Sequence, residues 1–100
     1  MPAEAAATPI LRYNLDAVLD LRAADGLRQR LLELLSENEA ICLNASRVKR
    51  VSTACVQVIA AFTIAARQSG RQVTITSTSP AFAAGFTSLG LDSIISEEPA

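Results

Sequence analysis

A short apolar run in the middle of the chain constrains its fold more than any other feature. Ala40, Ile41, Cys42 and Leu43 follow one another, with polar residues on both sides. Such a run predicts a central strand that is buried on both faces, because no position in it is suited to solvent. A second run, from Val73 to Thr76, is β-branched throughout and predicts another strand.

Two segments beside these strands have helical spacing. Leucine periodicity predicts a first helix from about Arg22 to Ser36. A second helix is predicted to begin near Ser52 or Thr53 and to continue to about Ser69, with Gly70 at its C-terminal end. The predicted inward stripe of the second helix consists of Val56, Ile59, Ala60 and Thr63, widened by Val58 and Phe62.

A third helix has the clearest start signal. Ser79 can cap it, and Pro80 suits the first helical position, where its missing N–H leaves no hydrogen bond unmade. Phe82 and Phe86 lie one turn apart, which favours core positions over a ligand site. Gly90 then ends the helix.

The remaining elements are short strands. Ile10 to Leu15 has an imperfect period of two, and Ala17 to Asp20 follows it, so the two predict an edge hairpin. Leu91 to Ile95 is predicted as a last strand. The order is β-β-α-β-α-β-α-β, which indicates an α/β fold with a mainly parallel central sheet, an N-terminal edge hairpin and three helices. Residues 1–8 are expected to form a flexible lead, and residues 97–100 a solvated tail.

Composition favours a binding module over an enzyme. The chain has no histidine, which removes the commonest general base and the commonest metal ligand. Cys42 and Cys55 lack CxxC spacing, so we expect no metal site and no cofactor. Two unpaired cysteines are typical of a reducing compartment, and we therefore expect a cytoplasmic protein. A net charge of −1 argues against a nucleic-acid partner, and no apolar run approaches the roughly 18 residues that membrane insertion requires.

The stretch from Leu43 to Val56 resembles the signature of STAS domains, the family of anti-sigma-factor antagonists. The family pattern is a buried strand, then Asp/Asn-x-Ser, matched by Asn44 to Ser46, then Asp-Ser/Thr-x-Gly-Leu opening a helix. Further segments resemble the family in the same order, namely Leu15 to Leu21, Gly70 to Val73 and Phe82 to Leu91. The resemblance covers about residues 9–96 and implies a single domain with the STAS fold.

The resemblance implies a protein that binds other proteins. In the sporulation-type antagonists, an anti-sigma kinase binds the domain and phosphorylates a Ser or Thr at the start of the second helix. By position that acceptor corresponds to Thr53, and the preceding residue, usually Asp, is Ser52. Cys55 stands at the usual Gly and Val56 at the usual Leu. The implied partner is an anti-sigma factor or a related serine-kinase-like ATPase.

The physics of a helix start also suits a phosphate at Thr53. Unpaired N–H groups and the positive end of the helix dipole provide donors for it. Arg47, Lys49 and Arg50 lie just upstream, where they can hold a phosphate or meet an acidic partner. The predicted partner-binding surface consists of Asn44, Ser46, Arg47, Lys49, Arg50, Ser52, Thr53, Ala54, Val56 and Gln57.

Simpler interpretations of the same residues stay open. Ser52 or Thr53 can serve as a helix cap, a role worth roughly 1 kcal/mol. Cys55 can be buried packing or a redox switch, and the basic cluster can be a solvated loop. The C-x4-R spacing from Cys42 to Arg47 is distantly like a rhodanese-type loop, but it lacks the glycines of an anion cradle and is rejected.

The alternative function is that of an accessory subunit. Similar small STAS proteins attach to the ATPase of a bacterial ABC lipid-transport system, and others form the cytoplasmic end of anion transporters. In that alternative the partner is the ABC transporter ATPase, and Thr53 is a contact rather than a phosphoacceptor. An enzyme would have to depend on Cys55, and the chain has no glycine-rich loop for a nucleotide.

Overall fold

The computed structural model describes residues 10–95. The predicted lead at residues 1–8 and the predicted tail at residues 97–100 lie outside the described residues. The strands are β1 (Leu11–Asn14), β2 (Val18–Leu19), β3 (Ala40–Asn44), β4 (Arg50–Val51) and β5 (Gln72–Thr76). The α-helices are α1 (Ala24–Glu37), α2 (Thr53–Gln68), α3 (Pro80–Ser88) and α4 (Asp92–Ile95), and a 3₁₀ helix (Leu21–Ala23) precedes α1.

The described strands form two parallel sheets. In the larger sheet β3 lies between β1 and β5, and all three run in the same direction. Asn14, Asn44 and Thr76 are in register at the carboxyl ends of these strands. The mainly parallel sheet predicted from the sequence is therefore confirmed, and the fold is mixed α/β.

The predicted N-terminal edge hairpin is wrong. β2 does not turn back on β1 but pairs in parallel with β4, bringing Leu19 opposite Val51. The Leu15 N–H continues the pairing of β1 by donating to the Asn44 carbonyl, and the Leu15 and Leu19 side chains are both buried. Leu15 and Leu19 are four residues apart, and burial of both keeps the chain between β1 and β2 against the core. A hairpin turn at this point would expose one of the two side chains to water.

The core lies between the larger sheet and the helices. Ile41 and Leu43 of β3 belong to one buried cluster with Leu27 and Leu31 of α1. Ala40 and Cys42, which alternate with them, are buried as well, so β3 is buried on both faces as predicted. The predicted inward stripe of α2 is also buried, at Val56, Ile59, Ala60 and Thr63.

The last predicted strand, Leu91 to Ile95, is wrong, because residues 92–95 form α4. Gly90 adopts a positive φ of 71°, and the Leu91 N–H donates to the Phe86 carbonyl, which closes α3 and reverses the chain. The helical turn that follows buries Ile94 in the core. Phe82 and Phe86 lie there too, with ring centroids 4.8 Å apart, as their spacing predicted.

None of the helices within residues 10–95 combines the length and the apolar character needed to cross a bilayer.

Candidate functional site at the start of α2

Ser52 is the residue that caps α2. Its Oγ accepts a hydrogen bond from the Cys55 N–H at 3.2 Å, and its backbone is extended. Its own N–H donates to the Leu19 carbonyl at 2.7 Å, which ties the helix start to β2. Thr53 is the first helical residue and is exposed. The two adjacent hydroxyls, which the sequence left as equal candidates for the cap, therefore have different roles.

The inner side of the basic loop, residues 44–50, is held by hydrogen bonds and by buried side chains. The Asn44 Oδ1 accepts hydrogen bonds from the Ser46 N–H at 2.9 Å and from the Ser46 hydroxyl at 2.6 Å. Ala45 and Val48 are buried, and the Val48 carbonyl accepts a hydrogen bond from the Ser79 hydroxyl at 2.6 Å. Two side chains of this largely polar segment therefore belong to the core.

The three basic side chains of this loop point outward. Arg47, Lys49 and Arg50 are all exposed, and the Lys49 backbone N–H donates to the Ala17 carbonyl at 2.7 Å. Within residues 10–95 the one ion pair joins Arg30 to Glu33, so the cations of the loop have no carboxylate partner there. They therefore form a positive surface beside the exposed Thr53.

Most of the predicted surface residues are exposed or half-buried. Asn44 ends β3 of the larger sheet, and Ser52 caps α2 directly after β4 of the smaller sheet, so each segment follows the carboxyl end of a parallel strand. Ala54 is half-buried and Gln57 exposed. Val56 was assigned both to the inward stripe of α2 and to the partner-binding surface, and the second assignment is wrong: its helical position faces α3, and it lies in the core at 1% exposure.

The two cysteines are both buried. Cys55 is 0% exposed, and its thiol donates to the Asp20 carbonyl at 3.3 Å. Cys42 lies in β3, where its sulfur is 3.4 Å from the Thr76 hydroxyl. A redox switch needs a thiol that oxidants can reach, so the packing interpretation of Cys55 is confirmed and the redox interpretation is not supported.

A groove that the sequence did not predict adjoins this surface. It lies between α1 and α2 and has a volume of about 500 Å³. Its lining is mostly apolar and consists of Ala24, Arg28, Leu32, Ala54, Gln57, Val58, Ala61, Phe62 and Ala65. Leu32 and Ala61, which are exposed on otherwise amphipathic helices, are the signal in the sequence that could have revealed it.

Comparison with known proteins finds a match at the level of a protein family. A family model described as "Mlab, STAS domain" matches residues 4–96. No curated protein matches the chain. The family match spans nearly the whole sequence and includes both the basic loop and the start of α2.

Proposed function

Because this chain belongs to the STAS domain family, we propose that it is a non-enzymatic regulatory protein of the anti-sigma-factor-antagonist type. STAS domains commonly mediate protein–protein interactions and are generally non-catalytic. The proposed partner is a cytoplasmic anti-sigma factor or a related serine-kinase-like ATPase. The proposed docking surface is the start of α2 together with the basic loop, residues 44–50.

The observation that carries this proposal is the exposed Thr53 beside a cap that does not use it. Since Ser52 supplies the capping oxygen, a phosphate can be added to Thr53 without removing the hydrogen bond that begins α2. The helix dipole and the basic side chains of Arg47 and Arg50 favour negative charge in this region. Thr53 is thus exposed enough for a kinase to reach its hydroxyl, and its surroundings favour the negative charge of the resulting phosphate.

Phosphorylation of Thr53 would control the complex through charge. A phosphate adds about −1.5 to −2 charges at neutral pH. An apolar or acidic partner surface that docks on Ala54 and Gln57 would then face a new anion at its centre. Burying such a charge against a partner surface that brings no cation of its own weakens a complex strongly. The unmodified chain is therefore the form that binds.

The test uses the full chain and the purified histidine-kinase-like ATPases encoded in the same genome. With ATP, the cognate kinase is expected to add phosphate that tandem mass spectrometry locates at Thr53, and to add none to Thr53→Ala. In calorimetry, Thr53→Ala should bind the kinase like the unmodified chain, and Thr53→Glu about tenfold more weakly or worse. Thr87→Glu, at an exposed threonine on α3, is the matched control and should bind normally. Equal binding of Thr53→Ala and Thr53→Glu would show that Thr53 is not a switch.

A second candidate function is that of a constitutive subunit bound to an ABC transporter ATPase. The residue that favours it is Ser52, because its hydroxyl is engaged as the cap and supplies no carboxylate next to Thr53. In this case the chain should co-purify with an ABC ATPase whether residue 53 is Thr, Ala or Glu. Release of the ATPase by Thr53→Glu alone would point back to switching.

A further inference from the structure

The apolar groove between α1 and α2 has the dimensions of a helix-binding site. Its α2 side extends from Ala54 to Ala65, eleven residues along the helix, which is about 16 Å or three turns. Its α1 side presents Ala24, Arg28 and Leu32, each one turn after the last. The α1 wall is therefore about 12 Å or just over two turns long, so both walls are long enough for the i, i+3/i+4, i+7 anchors by which amphipathic helices bind grooves.

The two walls run in the same direction. Near the start of α2, the Asp20 carbonyl just before the 3₁₀ helix accepts a hydrogen bond from the Cys55 thiol. Near its end, Arg71 donates to the Leu35 carbonyl of α1. Because α1 and α2 are parallel neighbours, a third helix can rest between them and contact both along its whole length.

The lining shows what chemistry an occupant must bring. Phe62 is buried and Val58 half-buried in the lining, and Leu32 is 45% exposed. Alanines beside them leave room for the side chains of an occupant. An apolar stripe on the occupant would cover Leu32, a side chain that is otherwise left in water.

Arg28 fixes the charge of the occupant. It is the one charged residue in the lining, and it forms no ion pair with any residue of the described chain from 10 to 95. A helix that covered the groove would remove water from the guanidinium, which is costly unless the occupant supplies an anion. An acidic side chain beside the apolar stripe meets that requirement, and bidentate carboxylate pairing suits an arginine.

From this charge complementarity we infer that the groove binds an amphipathic helix of the partner protein, with a Glu or Asp that pairs with Arg28. The inference deepens the proposed function by describing the partner, and it adds a second contact region that begins at Ala54 and Gln57, next to Thr53. The partner then reaches the phosphorylation site and the groove together.

The test selects helical peptides that bind to the full chain. The probe is a displayed library of amphipathic helical peptides in which one flanking position varies among Glu, Lys and Gln. We expect enrichment of Glu at that position, and amide shifts at Ala61 and Phe62 when a selected peptide is titrated into the labelled chain. Arg28→Glu should weaken the selected peptide about tenfold, and the Glu→Lys version of the peptide should restore the affinity.

Two control pairs separate the groove from the rest of the surface. Arg12→Glu reverses an exposed charge on β1, outside the groove, and should leave binding unchanged. Ala61→Arg fills the groove and should abolish binding. Ala84→Arg places the same side chain at an exposed position of α3, outside the groove, and should leave binding unchanged.

Three results would overturn the inference. The first is a selected set of peptides without preference for an acidic residue, and the second is binding that survives Ala61→Arg. The third is a dimer in sedimentation experiments that Ala61→Arg dissociates, because a second copy would then be the occupant. None of these measurements needs a kinase or phosphate. The groove can therefore fail to bind a helix although Thr53 is a switch, and it can bind one although Thr53 is not.

Discussion

Ser52 and Thr53 show how two adjacent residues of similar chemistry acquire different roles. The Ser52 N–H is bound to the Leu19 carbonyl, which holds residue 52 in the extended conformation of a cap. Thr53 follows as the first residue of the helix with its side chain toward solvent. Local preference alone cannot distinguish them, since both serine and threonine are good caps.

Substitution of each residue by alanine should separate capping from signalling. Ser52→Ala removes the oxygen that accepts from Cys55 and should lower the free energy of unfolding by about 1 kcal/mol. Thr53→Ala removes an exposed side chain and should change it by less than about 0.5 kcal/mol. Urea denaturation of both variants measures the difference, and equal losses would mean that the two hydroxyls share the cap.

The sequence predicted the exposed part of this site better than its buried part. The basic side chains of the loop and the hydroxyls at the helix start lie where their pattern placed them. Ala45 and Val48 could not be located in the same way, because their burial depends on contacts with distant segments, whereas the helical stripe of α2 already predicted that Val56 is buried. Val48, for example, is held by Ser79, which is 31 residues away in the chain.

At the scale of elements, α3 approaches the start of α2 more closely than most side chains would allow. A Cβ added to Gly85 would lie 2.7 Å from Cγ1 of Val51 and 3.2 Å from Cγ2 of Val56. Val51 precedes the cap, and Val56 lies one turn into α2. The glycine therefore sets how α3 packs behind the candidate site.

Gly85→Ala and Gly26→Ala form a matched pair of helix substitutions. Gly26 lies in α1 with nothing within 4 Å of an added Cβ, so its replacement should raise stability by about 0.5–1 kcal/mol. The same gain at Gly85 should be outweighed by overpacking against the stiff Val51 side chain, which costs about 1–3 kcal/mol. Thermal unfolding reports both values. A stabilised Gly85→Ala would show that α3 can move away from α2 freely.

The elements that the sequence predicted well are those with long periodic patterns or strong caps. The positions of α1, α2 and α3 agree with the predictions to within a few residues, and β3 and β5 lie where their apolar runs are. β2 and β4 have only two residues each, which is too short for any periodicity. They pair across 32 residues of chain, with Val18 opposite Arg50. The sequence therefore predicted that β2 is a strand but assigned it the wrong partner strand.

At the scale of the whole molecule, two arginines near the end of α2 join elements that are distant in sequence. The Arg67 guanidinium donates to the Val73 carbonyl at 2.8 and 3.1 Å and to the Ile94 carbonyl at 3.4 Å. Arg71 donates to the carbonyls of Leu35 and Asn38 at the end of α1. The carbonyls of Ile94, Leu35 and Asn38 lie at helix ends, where the last carbonyls have no partner within the helix.

These contacts lie at the opposite end of α2 from the candidate site. Thr53 and Arg67 are fourteen residues apart on one helix, which is about 21 Å. A change at Arg67 should therefore alter the anchoring of α4 and leave the binding surface intact. This separation makes Arg67 a suitable position for testing how the last helix is held.

Arg67→Met keeps the aliphatic stem and removes the hydrogen bonds to Val73 and Ile94. Because α4 is only four residues long, we expect the amide of Ile94 to lose protection in native-state hydrogen exchange. Global stability should fall by about 1 kcal/mol, since the guanidinium is partly in water and its hydrogen bonds are worth less there than in a dry interior. Arg71→Met is the matched control: it should expose amides at the end of α1, near Leu35, and leave those of α4 protected. If both variants release α4 equally, the helix is held by the stability of the whole core and not by Arg67.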